Sequence, residues 1–208
     1  MKAVSDYDTQ HLFSALWVAE LPFGKGKPIA GNAGALLNQV IGGWSLHGVF
    51  RNSSGLPIGV IAGGVWPTNW EVGSYAIQTG YLAPPQTTKN GPAPTKSGRT
   101  GPNLFGDPAA ALGAYSLPLA GDSGQRNGIR GDGFFGIDLG VGKRFNLFTF
   151  KDQPHTLQFR AESFNITNSV RFDVYGVNIN ILNPARFGQY TNTLTRPRVF
   201  QFSLRYEF

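Results

Sequence analysis

Apolar and polar side chains alternate along several stretches of the chain with a period of two residues, which is the period of a β-strand. The clearest stretch covers residues 134–147. One of its faces is apolar except for Lys143 and consists of Phe135, Ile137, Leu139, Val141, Phe145 and Leu147. The other face is small or charged and consists of Gly136, Asp138, Gly140, Gly142 and Arg144. The pattern predicts one long strand with an apolar side and a polar side.

Two further strands are predicted in the C-terminal part of the chain, at residues 156–165 and 198–208. In the first, the apolar positions Leu157, Phe159 and Ala161 alternate with Gln158, Arg160 and Glu162. In the second, Phe200, Phe202, Leu204, Tyr206 and Phe208 alternate with Val199, Gln201, Ser203, Arg205 and Glu207. The short polar segment 151–155 (KDQPH) contains a proline and predicts a tight turn before the first of these strands.

Two earlier strands complete the predicted set. Trp44, Leu46, Gly48 and Phe50 alternate with Ser45, His47, Val49 and Arg51. This strand is expected to continue past Gly55 and Pro57 to residue 61 with a bulge. At residues 11–21 apolar side chains occupy both faces, so the pattern alone does not decide that strand. The chain therefore predicts an all-β fold, an antiparallel meander of about five long strands, with one short helix near residues 32–41.

The connections between the predicted strands alternate in length. Residues 62–133 form a long segment rich in Gly, Pro, Thr and Asn without a strand pattern, and residues 169–197 form a medium loop. Short turns at one end and long loops at the other are typical of outer-membrane β-barrels, whose long loops are extracellular. If the last strand ends at the periplasm, the KDQPH turn is periplasmic and both long loops are extracellular. The link at residues 22–43 is then a rather long periplasmic connection.

Composition agrees with a membrane-spanning barrel. Gly and Pro number 28 and 14 in 208 residues, aromatic residues make up 13%, and charged residues only 14%, against roughly 25% in an ordinary soluble domain. Mean hydropathy is nevertheless slightly negative, as expected when only every second strand residue faces lipid. The net charge of +6 is scattered along the chain, which favours anionic lipid headgroups over nucleic acid as a partner.

The C-terminal strand carries the most specific motif. Its alternating apolar side chains, Phe200, Phe202, Leu204, Tyr206 and Phe208, resemble the C-terminal assembly signal that the barrel-assembly machinery of the outer membrane recognises. Such recognition works by strand addition, in which backbone hydrogen bonds give affinity and alternate side chains give specificity. In water, an aromatic edge strand of this kind would instead promote aggregation.

Charged residues on the polar faces of three predicted strands are the remaining candidate site: Asp138, Arg160, Glu162, Arg205 and Glu207. We interpret them as lumen-facing charges that form a structural salt-bridge network, with a role along a substrate path as the alternative. No residues are assigned to catalysis, to a cofactor or to a metal, because none of the three histidines has metal-ligand spacing and no glycine-rich segment joins a strand to a helix. We therefore expect the protein not to be an enzyme.

The sequence also resembles the C-terminal end of TonB-dependent outer-membrane receptors, especially the Oar-like group. The segments that carry the resemblance run through nearly the whole chain, and the most specific are RAESFNITN at 160–168 and RVFQFSLRYEF at 198–208. The resemblance implies a barrel of about twenty-two strands, a plug domain inside it, and uptake driven by TonB. The chain contains no counterpart of the plug or of the TonB-contacting segment, and its N-terminus does not have the pattern of a signal peptide. We thus expect residues 1–208 to be the C-terminal part of a barrel in the bacterial outer membrane.

Two alternatives stay open at this stage. One is an outer-membrane adhesion or structural barrel without transport, in which the long loop contacts partners. The other is a soluble β-sandwich binding module. The receptor hypothesis names as partners the outer-membrane lipid, the barrel-assembly machinery, the rest of the barrel with its plug, and TonB through the missing N-terminal part, and it names no cofactor.

Overall fold

The computed structural model describes residues 3–64, 74–122 and 124–208. Its strands in chain order are β1 (Leu12–Glu20), β2 (Trp44–Ser53), β3 (Pro57–Ile58), β4 (Ile77–Gln78), β5 (Thr88–Gly91), β6 (Gly101–Asn103), β7 (Tyr115–Ser116), β8 (Ile129–Arg130), β9 (Phe134–Phe150), β10 (Gln153–Phe164) and β11 (Val199–Glu207). The helices are α1 (Ala35–Ile41), which lies within the predicted residues 32–41, and α2 (Pro108–Gly113). Among the described residues, no helix has the length and apolar character that crossing a membrane requires.

The chain forms two compact units, which we describe separately. The loop unit consists of Met1–Leu12, Ser53–Phe134 and Val170–Thr195. The sheet unit consists of Phe13–Asn52, Phe135–Ser169 and Arg196–Phe208.

The sheet unit is built on a five-stranded sheet with the order β1-β2-β9-β10-β11. β10 pairs antiparallel with both β9 and β11. The five strands are between 9 and 17 residues long, and a tilted strand needs about 9–11 residues to cross a bilayer. Because these strands are arranged in the sheet in the order of the chain, they form the predicted antiparallel meander, and the all-β fold is confirmed.

The turn between β9 and β10 is shorter than predicted. Only Lys151 and Asp152 lie outside the ladder, both with positive φ (47° and 61°), as a two-residue hairpin turn with the twist of the strands requires. β10 already includes Gln153 and Pro154, which pair with Phe150 and Thr149 of β9. Pro154 is tolerated there because β11 begins to pair with β10 only at Thr156, so one edge of β10 needs no N–H donor at this position.

A bulge near this turn changes which side chains continue the apolar face of β9. Thr156 pairs with Asn146 but His155 pairs with Phe148, so Leu147 is the extra residue. Phe148 therefore pairs with His155. Strict alternation along one strand does not predict such a bulge, which depends on the pairing with the neighbouring strand.

The predicted continuation of β2 to residue 61 is also wrong. β2 ends at Ser53, and Pro57–Ile58 forms the separate strand β3, which pairs with β8 in a two-stranded sheet. Gly55, which precedes β3, lies close to the backbone of the loop unit, because a Cβ at this position would be 1.9 Å from the carbonyl oxygen of Gly131. Only glycine allows two backbones to approach this closely.

The segment 62–133 was predicted to lack regular structure; its residues 65–73 and 123 lie outside the described part of the chain, and its described residues contribute short strands and a helix to the loop unit. β4 pairs with β7 and β5 with β6, and α2 begins after Asp107, whose carboxylate accepts a hydrogen bond from the N–H of Ala110 at 3.0 Å. The buried core combines this segment with residues 170–195, as in the stacked rings of Phe105 and Phe187 with centroids 5.5 Å apart. In the described residues of the segment, short apolar side chains form a core because they meet partners that lie far away in the sequence.

Candidate functional site: the polar face of the sheet

The register of the sheet places the predicted charges of β10 and β11 on one face, which we call the polar face. Directly opposed residues of neighbouring strands share a face. Gln158 lies opposite Arg205, and Thr156 lies opposite Glu207. Glu162 lies opposite Gly140 of β9, so Asp138, two residues from Gly140, belongs to the same face.

One group of charges lies towards the hairpin-turn end of this face. The Glu207 carboxylate is 3.2 Å from Nε of Arg205 and 3.6 Å from a guanidinium nitrogen of Arg144 on β9. It also accepts a hydrogen bond from the hydroxyl of Thr156 at 3.3 Å. Arg144 was placed on this face by its alternation but was not predicted as a site residue, because pairing across β10 from β9 to β11 cannot be read from one strand.

A second contact spans three strands. Nε2 of His47 on β2 lies 3.3 Å from a carboxylate oxygen of Glu162 on β10, with β9 between them. The imidazole passes directly over Gly140, where a Cβ would lie 2.1 Å from Nε2. Glycine at this position is thus what allows the histidine ring to reach its carboxylate partner. The sequence showed His47 and Gly140 on polar faces, but their contact depends on the register between β2 and β9.

The other two predicted charges have different surroundings. The carboxylate of Asp138 accepts a hydrogen bond from the backbone N–H of Asn165 at 2.7 Å, and Asn165 has a positive φ of 52° in the turn after β10. Asp138 therefore fixes this turn. Arg160 is exposed and forms no ion pair among the described residues. The charges thus belong to separate local contacts, and a single connected network is not observed in the described part of the face.

A concave surface of about 340 Å³ lies on the sheet unit between β1, β2, β9 and β10. Its polar groups come from Ser45, His47, Asp138, Arg160 and Glu162, and Leu16 and Val18 of β1 add an apolar part. His47 and Glu162 keep about a quarter of their side-chain surface exposed. The surface therefore presents both charge signs to any solute that enters it.

The opposite face of the sheet is apolar. All five residues of the predicted assembly signal are exposed, from 47% for Tyr206 to 82% for Phe208. Phe202 stacks against Phe159 of β10, with ring centroids 6.4 Å apart. β11 is an edge strand of the five-stranded sheet, so this row of side chains lies beside a backbone edge that is open to pairing.

An aromatic cluster occupies the apolar face near the hairpin turn. The ring of His155 stacks on Phe148 with centroids 4.5 Å apart and also contacts Tyr206 and Phe208. Its Nδ1 forms a hydrogen bond with the Tyr206 hydroxyl. His155 was predicted in a turn, but it lies in β10 as part of this cluster.

Lys143, the cation that interrupts the apolar row, is buried with 2% of its surface exposed. Its ammonium group donates hydrogen bonds to the carbonyl oxygens of Val40, at 3.1 Å, and Gly42. It also lies over the rings of Trp44 and Phe145, about 5 Å from their centroids. The end of α1 thus covers a charge that lies in the apolar row of β9.

The aspartates of the loop unit have structural partners of their own. Asp107 caps α2, and Asp122 accepts a hydrogen bond from the N–H of Leu119 at 2.8 Å. Asp132 accepts one from Phe172 at 3.2 Å, and burial, the largest effect, raises its pKa. Within the described residues, no group of three or more histidine or acidic side chains is arranged to hold a metal ion.

The sequence matches the family model of the outer membrane beta barrel domain over residues 1–201. The chain belongs to this family. As an outer membrane beta barrel domain it is located in the bacterial outer membrane. In such barrels the apolar face of the strands is the face that meets lipid. No curated protein and no solved structure matches the chain.

Proposed function

We propose that this outer membrane beta barrel domain is the C-terminal segment of a TonB-dependent, Oar-like receptor that takes up a large or scarce ligand, and that it has no catalytic activity. The observation that carries the proposal is the charged polar face opposite a lipid-facing apolar face. In a barrel, the face opposite lipid lines the interior. Under this proposal the lumen-facing charges are Asp138, Arg160, Glu162, Arg205 and Glu207.

Charges inside a barrel serve transport when some of them remain available to a solute. Glu207 is engaged with two arginines, which suits a structural role. Arg160 is exposed, and His47 and Glu162 are partly exposed on the concave surface. These three side chains support a role in the ligand path. Arg160 offers a positive charge, Glu162 offers a negative charge, and all three can form hydrogen bonds with a solute.

The proposal requires further strands. β1 and β11 are the edges of the sheet. In hydrocarbon, each unpaired backbone N–H or C=O group of an edge costs about 2–7 kcal/mol. We infer that the rest of the barrel pairs with these edges, with a plug domain inside the closed barrel and TonB contacting its N-terminal part. The row Phe200, Phe202, Leu204, Tyr206 and Phe208 is inferred to be the signal that the assembly machinery binds.

The test compares a strain that lacks the gene with its parent in the uptake of three radiolabelled probes: a ferric siderophore, an oligosaccharide and a peptide. The proposal predicts that the deletion abolishes accumulation of one probe, and that a protonophore does the same in the parent because TonB uses the proton-motive force. A receptor that includes the proposed N-terminal part should also bind the periplasmic domain of TonB, whereas residues 1–208 alone should not.

The alternative is an outer-membrane adhesion or structural barrel. The observation in its favour is that the loop unit exposes large apolar and aromatic side chains, such as Tyr81 at 86% and Leu119 at 74%. It predicts unchanged uptake of all three probes, no binding to TonB, and loss of surface attachment in the deletion strain. Family membership argues against the soluble binding module.

A further inference from the structure

The link between β1 and β2 exposes an apolar surface on helix α1. Leu36, Leu37 and Val40 are 87%, 53% and 67% exposed, and their spacing places them on one side of the helix. Phe23 and Ile29 of the same link are also exposed, at 38% and 50%. A shallow apolar groove lies between these elements and is lined by Leu21, Phe23, Ile29, Val40, Ile41 and Trp44.

The other side of the helix is held against the protein. Asn38 accepts a hydrogen bond from the N–H of Lys25 at 2.7 Å, and Gln39 donates one to the carbonyl oxygen of Asn146 in β9 at 2.6 Å. Gly24 and Gly42 approach the Asn38 side chain closely, since a Cβ on either would lie within 2.6 Å of its oxygen. The orientation of α1 is therefore fixed with its apolar side outward.

Lys143 shows on which side of the sheet this helix lies. Its position between Val141 and Phe145 belongs to the apolar row of β9, and its ammonium group bonds the carbonyl oxygens of Val40 and Gly42 at the end of α1. The C-terminal end of α1 thus lies over the apolar face. The chain is an outer membrane beta barrel domain, and in such barrels the apolar face meets lipid. The outward side of the helix is therefore continuous with the face that meets lipid.

The charge of the link agrees with a lipid partner. Residues 21–43 include Lys25 and Lys27 and no acidic residue. Lys27 forms an ion pair with Glu20 of β1 at 2.7 Å, so the basic group that the link offers to a headgroup is Lys25. An amphipathic segment with an apolar side and basic residues suits the boundary between acyl chains and anionic headgroups. A stable protein interface, in contrast, normally buries about 1,200–2,000 Å², which a few side chains of a seven-residue helix do not supply.

We propose that residues 22–43 form an interfacial membrane anchor, in which Leu36, Leu37 and Val40 insert among the acyl chains of anionic phospholipid. The hairpin turn of Lys151 and Asp152 lies at the same end of the sheet. The assignment to the periplasmic leaflet, where phospholipid is found, rests on the orientation of the proposed receptor. The lipid contact itself rests only on the position of α1 over the apolar face.

The test uses the absence of cysteine from the 208 residues. Leu36→Cys and Leu37→Cys are each labelled with bimane in the intact protein, reconstituted into nanodiscs of phosphatidylethanolamine and phosphatidylglycerol. Phe202→Cys on the lipid-facing row is the membrane control, and Thr100→Cys, exposed on the loop unit, is the aqueous control. Fluorescence is quenched either by dibrominated phospholipid in the bilayer or by iodide in the water.

The anchor predicts that dibrominated lipid quenches both labels on α1 about as strongly as the label at Phe202, and at least about threefold more than the label at Thr100. Quenching by iodide as strong as at Thr100 would overturn the proposal. Shielding from both quenchers would also overturn it, because a second copy or a protein partner would then cover the helix. If the Phe202 label itself proved aqueous, the barrel account would fail, and not the anchor alone.

Discussion

Replacing Gly140 with alanine should disturb the polar face through one contact. The new Cβ would lie 2.1 Å from Nε2 and 2.6 Å from Cε1 of His47, well inside van der Waals contact, so the imidazole must move. Movement breaks the 3.3 Å contact between His47 and Glu162. The substitution therefore tests whether the histidine ring crosses β9 as described.

The size of the effect follows from three contributions. Loss of a partly exposed hydrogen bond costs about 0.5–1.5 kcal/mol, and forcing the ring from its rotamer costs about 0.5–1.5 kcal/mol. Alanine is favoured over glycine in a strand by roughly 0.5–1 kcal/mol. The expected net loss in the free energy of unfolding is about 0.5–2 kcal/mol. In the double variant with His47→Ala the clash is absent, so its stability should exceed that of Gly140→Ala.

The assay is urea unfolding of the protein in phospholipid vesicles, followed by tryptophan fluorescence, for both single variants and the double variant. Gly101→Ala is the control, because a Cβ at this strand position meets nothing within 4 Å, and it should be close to neutral. The reasoning is refuted if the effects of Gly140→Ala and His47→Ala simply add, since residues in contact show a coupling energy of about 0.5–3 kcal/mol.

Three further predictions concern other parts of the molecule. Lys143→Met should free the end of α1, because the carbonyl oxygens of Val40 and Gly42 lose their hydrogen-bond donor. Trypsin should then cleave faster after Lys25, and an unchanged cleavage rate would contradict the role of Lys143 in holding α1. Burial raises the pKa of Asp132, so the wild type should lose stability as pH rises through that pKa, and the Asp132→Asn variant should lose less. Thermal unfolding followed by circular dichroism at several pH values measures both, and equal pH profiles of the two proteins would contradict this role of Asp132. Phe202→Ser should lower the amount of protein assembled in the outer membrane, measured by blotting membrane fractions, whereas Gln201→Ser on the other face of β11 should not.

The alternation of side chains was sufficient to predict the long strands. It works for β9, β10 and β11 because one face of each lies in lipid and the other does not, so the two sets of positions differ strongly in polarity. The strand ends were predicted within a few residues. The alternation could not reveal the bulge at Leu147, since a bulge is defined by the partner strand and not by the strand that contains it.

Contacts between distant parts of the chain were not predictable in the same way. His47 and Glu162 are 115 positions apart, and their contact requires both the register of β2 against β9 and a glycine at position 140. The shielding of Lys143 depends on where α1 ends. The core of the loop unit, such as the pairing of Phe105 with Phe187, combines short apolar groups that have no periodic pattern of their own.

The most direct test of the central claim is a scan of β10 with single nitroxide-labelled cysteines at residues 157–162 in the membrane-embedded protein. Power-saturation electron paramagnetic resonance measures access of each label to oxygen, which concentrates in lipid, and to a water-soluble nickel complex. The account predicts high oxygen access at Leu157, Phe159 and Ala161 and low oxygen access at Gln158, Arg160 and Glu162. Loss of this alternation, or shielding of the odd positions from both reagents inside a protein core, would contradict a lipid-facing sheet.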